Sequence, residues 1–324
     1  FDIVVKAAEE SPDAWEARAA AKANLANAVA GRGESAAELL AGAIQDMAEA
    51  EKRAPGKARW RWKIGAILLN QARLEMLQGQ DATASCRTAI EAFNTALSID
   101  GGDMDALEGR GEAHDVHGQA LRRKAIDPTP EYELGDRDLT ASLAQQPSSS
   151  EALVARGELR RHWGEHESEM GRAAAAKLEG AIADLTAAIG VDPLESEAWR
   201  HRGMARSALA RHREDRGEPT PELSMQAERD LTEALRLEPM RAETWSLRGE
   251  VRLERANSAH IRGADAVALF ALAIEDLDRA LTLDAQLEVA FSRRGLARAN
   301  LGAHVGDGGK DPTAHYVEAV ADFG

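Results

Sequence analysis

The sequence predicts an all-α chain, an array of seven helix-turn-helix units of 46 residues each. Two observations predict it. The first is a register. Ala19, Gly65, Gly111, Gly157, Gly203, Gly249 and Gly295 follow one another at steps of 46 residues. Pro55, Gly101, Pro147, Pro193, Pro239 and Ala285 keep the same step, and so do Ala43, Ala89, Gly135, Ala181, Ala227, Ala273 and Ala319. Phase-locked series of this kind mark repeated supersecondary units, each burying its apolar face only by stacking on its neighbours. The second is composition. Aromatic residues make up 4% of the 324, and Ala and Leu visibly outnumber Val and Ile, which favours helix over sheet.

Within a unit the elements follow in order. In the fifth, Trp199, Arg202, Gly203 and Arg206 fall at helical spacing after Pro193 and an acidic first turn, giving the first helix. A polar break over 216–221 ends it. Thr220 reads as an N-cap with Pro221 at the first helical position. The second helix passes through Ala227, Leu231, Ala234 and Leu235 and stops near Glu238-Pro239. The third unit repeats the break at 127–131 and the seventh at 306–312. The expected helix length is about 16–18 residues, above the usual 11–12.

Small residues such as Gly203, Ala227 and Ala234 are expected to let helices approach closely. Large apolar residues fill the layers beside them. They are Trp15, Leu107, Leu153, Trp199, Trp245 and Phe291 on first helices, and Met47, Phe93, Leu139, Leu185, Leu231 and Leu277 on second helices. A charged pair recurs with the same register: Arg18 with Asp46, Arg110 with Asp138, Arg156 with Asp184, Arg202 with Asp230, Arg248 with Asp276, and Arg294 with Asp322. The second unit has Ile64 and Ala92 instead, losing both members together. Joint loss points to a partly buried bridge, because a buried charge left alone costs about 3–5 kcal/mol.

The excess of 55 acidic over 40 basic residues, a net charge of −15, argues against a nucleic-acid backbone or an anionic membrane surface as partner. No apolar run approaches the roughly 20 residues of a membrane span. The single cysteine, Cys86, excludes an internal disulfide framework.

Motifs with a chemical look are absorbed by the repeat. His162-Trp163-Gly164-Glu165-His166 matches the H-x-x-E-H pattern of inverted zinc peptidases, but Gly164 weakens the helix and Arg160 and Arg161 crowd it with positive charge, so a solvated helix end is expected. His114 and His117 read as surface histidines, and Gly306 to Lys310 as a turn. Asp322-Phe323-Gly324 spells a kinase magnesium motif while occupying repeat positions. No catalytic residue, cofactor or metal is expected.

Trp199-x-x-Arg202-Gly203-x-x-Arg206, then Ala227-x-x-x-Leu231, then Pro239, resembles the tetratricopeptide repeat signature. This chain differs from the family's unit of 34 residues by an insertion between the two helices of every unit. The resemblance spans residues 1–324 and implies a single right-handed α-solenoid, a superhelix with first helices lining its concave side. It also implies that Trp62, Leu69, Glu108, Glu112, Asp115, Glu158, Arg161, Arg200, Met204, Glu250 and Leu253 face the groove, and that the partner is a protein or peptide. The acids among them suggest a basic or mixed peptide. Chaperone-tail binders of the family place Lys and Asn where this chain has Glu16 and Ala20, then Trp62 and Ala66, so their carboxylate clamp is not expected.

Phe1 and Val4 align with the later part of a second helix, and the chain stops at Phe323-Gly324 in the same phase, beyond Val317. Both ends thus read as cut within a second helix and uncapped, where solenoid ends carry polar caps. The expectation is a non-catalytic interaction scaffold suited to head-to-tail assembly of copies into a filament, since identical heterologous contacts do not close. The competing class is the sensor array of a larger bacterial signalling protein, such as a serine/threonine kinase. A filament would be extracellular and a signalling scaffold cytoplasmic.

Overall fold

The computed structural model describes residues 11–32, 34–218 and 220–324. Among them are fourteen helices and no strand: α1 (Pro12–Ala30), α2 (Ala37–Arg53), α3 (Ala58–Leu77), α4 (Thr83–Ile99), α5 (Met104–Arg123), α6 (Thr129–Gln145), α7 (Ser150–Glu169), α8 (Ala175–Val191), α9 (Ser196–Glu214), α10 (Pro221–Leu237), α11 (Ala242–Ile261), α12 (Val267–Leu283), α13 (Glu288–Asp307) and α14 (Thr313–Phe323). First helices start 46 residues apart from Pro12 to Glu288, and second helices likewise from Ala37 to Thr313. The chain divides into two compact units, 1–163 and 164–324, the division falling inside α7.

Within each unit the helix pairs are antiparallel hairpins. In the first, Arg53 lies over the Trp15 ring, Arg18 meets Asp46, and Lys22 reaches the Gly42 carbonyl, so partners run in opposite directions. Successive first helices run parallel, as Asp13 with Arg59 and Asn27 with Asn70 show. In the first unit the core passes through Leu40, Met47, Trp60 and Phe93, with Tyr132, Leu139, Leu159 and Trp163 clustered beyond them. In the second unit, Leu178 and Leu209, then Leu231 and Val251, then Phe270, Leu277 and Leu301 play the same part.

The marker glycines are there because the second helix presses on the first. A Cβ on Gly203 would stand 2.9 Å from Leu231 Cγ and 3.1 Å from the Ala227 carbonyl oxygen; one on Gly249 would stand 2.8 Å from Leu277 Cγ. The expected close approach and its agents, Gly203 and Ala227, are therefore in contact.

First helices are 19 or 20 residues long, longer than expected, and second helices are 17 except for α14, which is 11. The extra turn ends in one repeated device. Gln80 donates to the Glu75 carbonyl, Ile126 to Leu121, Arg172 to Glu167, Glu218 to Arg213, Ala264 to Ala259 and Lys310 to Val305, a Schellman closure each time. It needs one left-handed residue, and Gly79, Gly171, Gly217, Gly263 and Gly309 supply it with φ of 69–76°. Ala125 takes the same position at φ 56°. Pro221 opens α10 as the sequence indicates, and Glu238 caps its far end.

Candidate functional site

Four of the repeated arginines, Arg110, Arg202, Arg248 and Arg294, are two-sided clamps. Arg202 Nε donates to Asp230 Oδ2 at 2.9 Å and Nη2 to Oδ1 at 2.7 Å, tying the two helices of its hairpin. Its Nη1 donates to Thr186 of the preceding second helix at 3.2 Å. Arg248 repeats this with Asp276 and Thr232, Arg294 with Asp322 and Asp278, and Arg110 with Asp138 and Asn94. Arg18 holds Asp46 with Nε 2.8 Å from Oδ2. Arg156 donates to Thr140 at 3.1 Å, while Asp184 is buried in the other compact unit. Trp199 and Trp245 lie under Arg202 and Arg248 at 4.8 and 4.7 Å, and each indole N–H donates to a carbonyl, of Pro193 and Pro239 respectively. Ile64 and Ala92 are both buried. The arginine, aspartate, tryptophan and proline of the repeat thus form one structural chain.

The residues expected to face a groove are mostly engaged with neighbouring helices. Leu69 and Leu253 are buried in the core, and Trp62 is half-buried against it with Lys63 Nζ 5.3 Å from its ring. Ser142 donates to Glu108 at 2.6 Å, and burial raises that carboxyl's pKa. Glu112 pairs with Arg73, and Glu250 with Arg293. Arg200 is held by Glu197 at 2.9 Å through Nε and lies 3.6 Å from Met204 Sδ through Nη1. Glu197 also receives Arg241; burial opposes ionisation there, yet His201 and Arg200 hold this carboxyl well below the usual range. Glu112, Glu197 and Glu250 therefore form an ion-pair ladder between successive first helices, a feature that hairpin stacking creates.

His162 and His166 correct the expected solvated helix end: both are buried inside α7. His162 Nδ1 lies 2.9 Å from Asp115 Oδ1, and Gln119 donates to the other oxygen at 3.0 Å. Ligand atoms of Asp115, Glu158 and His162 lie within 4.8 Å of one another, a spacing that could hold a metal. The Arg161 guanidinium, however, stands 2.7 Å from His162 Nε2 and 3.9 Å from Glu158. Arg161 donates to Nε2, His162 Nδ1–H donates to Asp115, and a fixed cation occupies the place a metal would take.

His114 and His117 are likewise buried and not on the surface. Their Nδ1 atoms lie 2.6 and 3.1 Å from Glu131 Oε2, joining α5 to α6. Burial works against the Glu131 charge, but the two histidines outweigh it and bring its carboxyl down to about 2. His114 stands where the repeat has Arg206, Arg252 and Arg298, each bonded to the hairpin aspartate, which is the register signal the isolated histidines did not display.

One open cleft lies between α1 and α3, about 610 Å³ in volume. Ala17, Ala20, Ala23, Ala66 and Ile67 line it, with Asp13, Glu16, Arg59 and Lys63 also around it. Arg59 pairs with Asp13 at 2.6 Å and with Glu16 at 2.9 Å, so the charged residues are mutually neutralised. Of the end residues, Phe1 and Val4 lie outside the described residues, while Val317 is 64% and Phe323 60% exposed on α14. No helix among the described residues is long and apolar enough to cross a membrane.

No protein-family model matches the chain, and no curated protein sequence matches it. Solved structures do. A tetratricopeptide repeat protein from Parabacteroides merdae is 14% identical over 94% of this chain and 99% of that one, with a TM-score of 0.47. A thermophilic tetratricopeptide protein of Thermus thermophilus is 17% identical over 72% of this chain and 98% of that one, also at 0.47. YrrB, a tetratricopeptide protein with an unusual peptide-binding site, is 14% identical over 75% of this chain and 95% of that one, at 0.38. What this chain shares with these structures is construction from helix-turn-helix repeats, which its own hairpins display.

Proposed function

We propose that the chain is a non-catalytic interaction scaffold that takes a peptide in the cleft between α1 and α3. The observation that supports this is the cleft's chemistry. Its lining of alanines and Ile67 suits an apolar side chain, and the compensated ion pairs around it suit a peptide of mixed charge. The test is selection of peptides from a random library against the intact chain, followed by binding to A20R and A66R variants. The expected result is peptides with an apolar anchor that lose at least tenfold in affinity to both variants. Peptides that bind both variants as well as the parent would overturn the assignment.

A second reading, a single right-handed array that joins copies head to tail, is supported by α14. Phe323 is 60% exposed and Tyr316 42% exposed, whereas their register equivalents Leu277 and Phe270 are both 0% exposed under the next hairpin. Val317 and Val320 extend the same apolar surface. A second copy stacking there would bury it as the preceding hairpins are buried. Sedimentation and electron microscopy at micromolar concentration test this. Concentration-dependent filaments abolished by Val320→Glu are expected, and monomers at every concentration would exclude it.

A further inference from the structure

We infer that His260 and His304 form a binding site for a divalent transition-metal ion of the zinc, nickel or copper class, tying α11 to α13. The site stands on a repeated seam. Near the ends of successive first helices, residues 44 apart touch: Ser168 Oγ with His212 Nδ1 at 2.9 Å, Ser258 Oγ donating to Glu214 at 2.8 Å, and His260 Nδ1 with His304 Nδ1 at 3.0 Å. Only the last of these three contacts brings together two imidazoles, the side chain that suits these ions best.

The second requirement is orientation of the rings from behind. His260 Nε2 lies 3.6 Å from Asp307 Oδ2, and His304 Nε2 lies 3.6 Å from Asp265 Oδ1. At 3.6 Å neither carboxylate is hydrogen-bonded to its ring, but each stands on the far-nitrogen side, where closing by a few tenths of an ångström would let it hold the tautomer that a metal-binding histidine needs. The rings meet edge to face at 85°, with centroids 5.1 Å apart, and Phe270 backs His304 at 6.2 Å. Their side chains are 29% and 18% exposed, so solvent reaches the pair. In this respect the pair differs from the Asp115–His162 network, where Arg161 already fills the cation's place.

Without metal, Ala266 N–H donates to His304 Nε2 at 3.3 Å, so the neutral His304 carries its proton on Nδ1 and donates to His260. Coordination through both Nδ1 atoms moves that proton to Nε2, facing Asp265, with no net proton released from the neutral pair. Ala266 N–H, buried at the start of α12, gives up that acceptor, a cost that metal binding has to exceed. Two bonds of about 2.0–2.1 Å at a tetrahedral angle set the nitrogens about 3.3 Å apart, a few tenths of an ångström beyond the present contact. Water fills the remaining positions.

The test is calorimetric titration of the intact chain with zinc chloride and nickel chloride. One ion per chain is expected, weakened at least tenfold by His260→Asn and by His304→Asn and unchanged by His162→Gln. Binding that survives both asparagine variants, binding lost in His162→Gln, or no binding at micromolar protein would each overturn the site. Substoichiometric copper added to the unaltered chain gives an independent reading through histidine ring proton signals. Broadening confined to His260 and His304 supports the assignment, and broadening centred on other histidines rejects it.

Discussion

Arg202 and Asp230 meet in a fork of two parallel hydrogen bonds, at 2.9 and 2.7 Å, buried between α9 and α10 with the aspartate also taken by Arg206 at 2.6 Å. Such bidentate contacts hold geometry as well as energy. Here the fork's third arm extends to Thr186, so one side chain ties a hairpin internally and to the hairpin before it.

Removing one member leaves the other's charge buried. Asp230→Ala strands Arg202 and Arg206, and a loss of about 3–5 kcal/mol is expected in denaturant unfolding. The triple change Arg202→Ile, Arg206→Leu and Asp230→Ala copies the natural arrangement of Ile64, Leu68 and Ala92 and should restore most of that loss. A triple variant as unstable as the single would show that the cluster matters for something other than charge balance.

Two glycines in helices should respond with opposite signs to alanine. Helix propensity favours alanine over glycine by about 1 kcal/mol in both. At Gly190 a Cβ would meet nothing within 4 Å, so Gly190→Ala should stabilise by that amount. At Gly203 it would meet Leu231 at 2.9 Å and backbone at 3.1 Å, and overpacking of about 1–3 kcal/mol outweighs the propensity gain. Thermal melting of the two variants should therefore move in opposite directions.

Ala125 is the only described residue other than glycine with a positive φ, at 56°. The left-handed conformation costs a residue with a Cβ about 1–2 kcal/mol, and glycine's larger unfolded-state entropy returns about 0.4–1 kcal/mol of that. Ala125→Gly is accordingly expected to raise stability by about 0.5–1 kcal/mol. A melting temperature below that of the parent would contradict the strain account.

Acid should loosen the hairpin of α5 and α6. The Glu131 carboxyl is at about 2 in the folded chain, against an ordinary 4.5, with burial opposing and His114 and His117 outweighing it. A lowered folded-state value stabilises above about 4.5 and loses that contribution as pH falls toward 2. Stability measured against pH should drop through this window, and Glu131→Gln should flatten that part of the curve. An equal drop in the variant would place the acid sensitivity elsewhere.

The paired helices, their 46-residue register and the Arg–Asp partners of five units were legible as residues. Pro221 opens a helix where its missing N–H costs nothing, and Gly203 faces Leu231 because both recur at one phase. The left-handed positions were present too, as Gly79, Gly171, Gly217, Gly263 and Gly309, with Ala125 breaking the series. Burial of His114, His117 and His162 was not legible, since a histidine near a helix end has the same local pattern whether or not the next helix covers it.

Local chemistry therefore wrote the helices, their ends and their pairing, because capping, periodicity and small-residue contacts act within one hairpin. Stacking set the remainder. Glu112 and Glu250 are ladder rungs, and His260 meets His304, because those contacts join residues about 39–44 positions apart on different helices. Which of two compatible side chains turns toward the other across that distance is a matter of packing, and it is written in no segment of the chain alone.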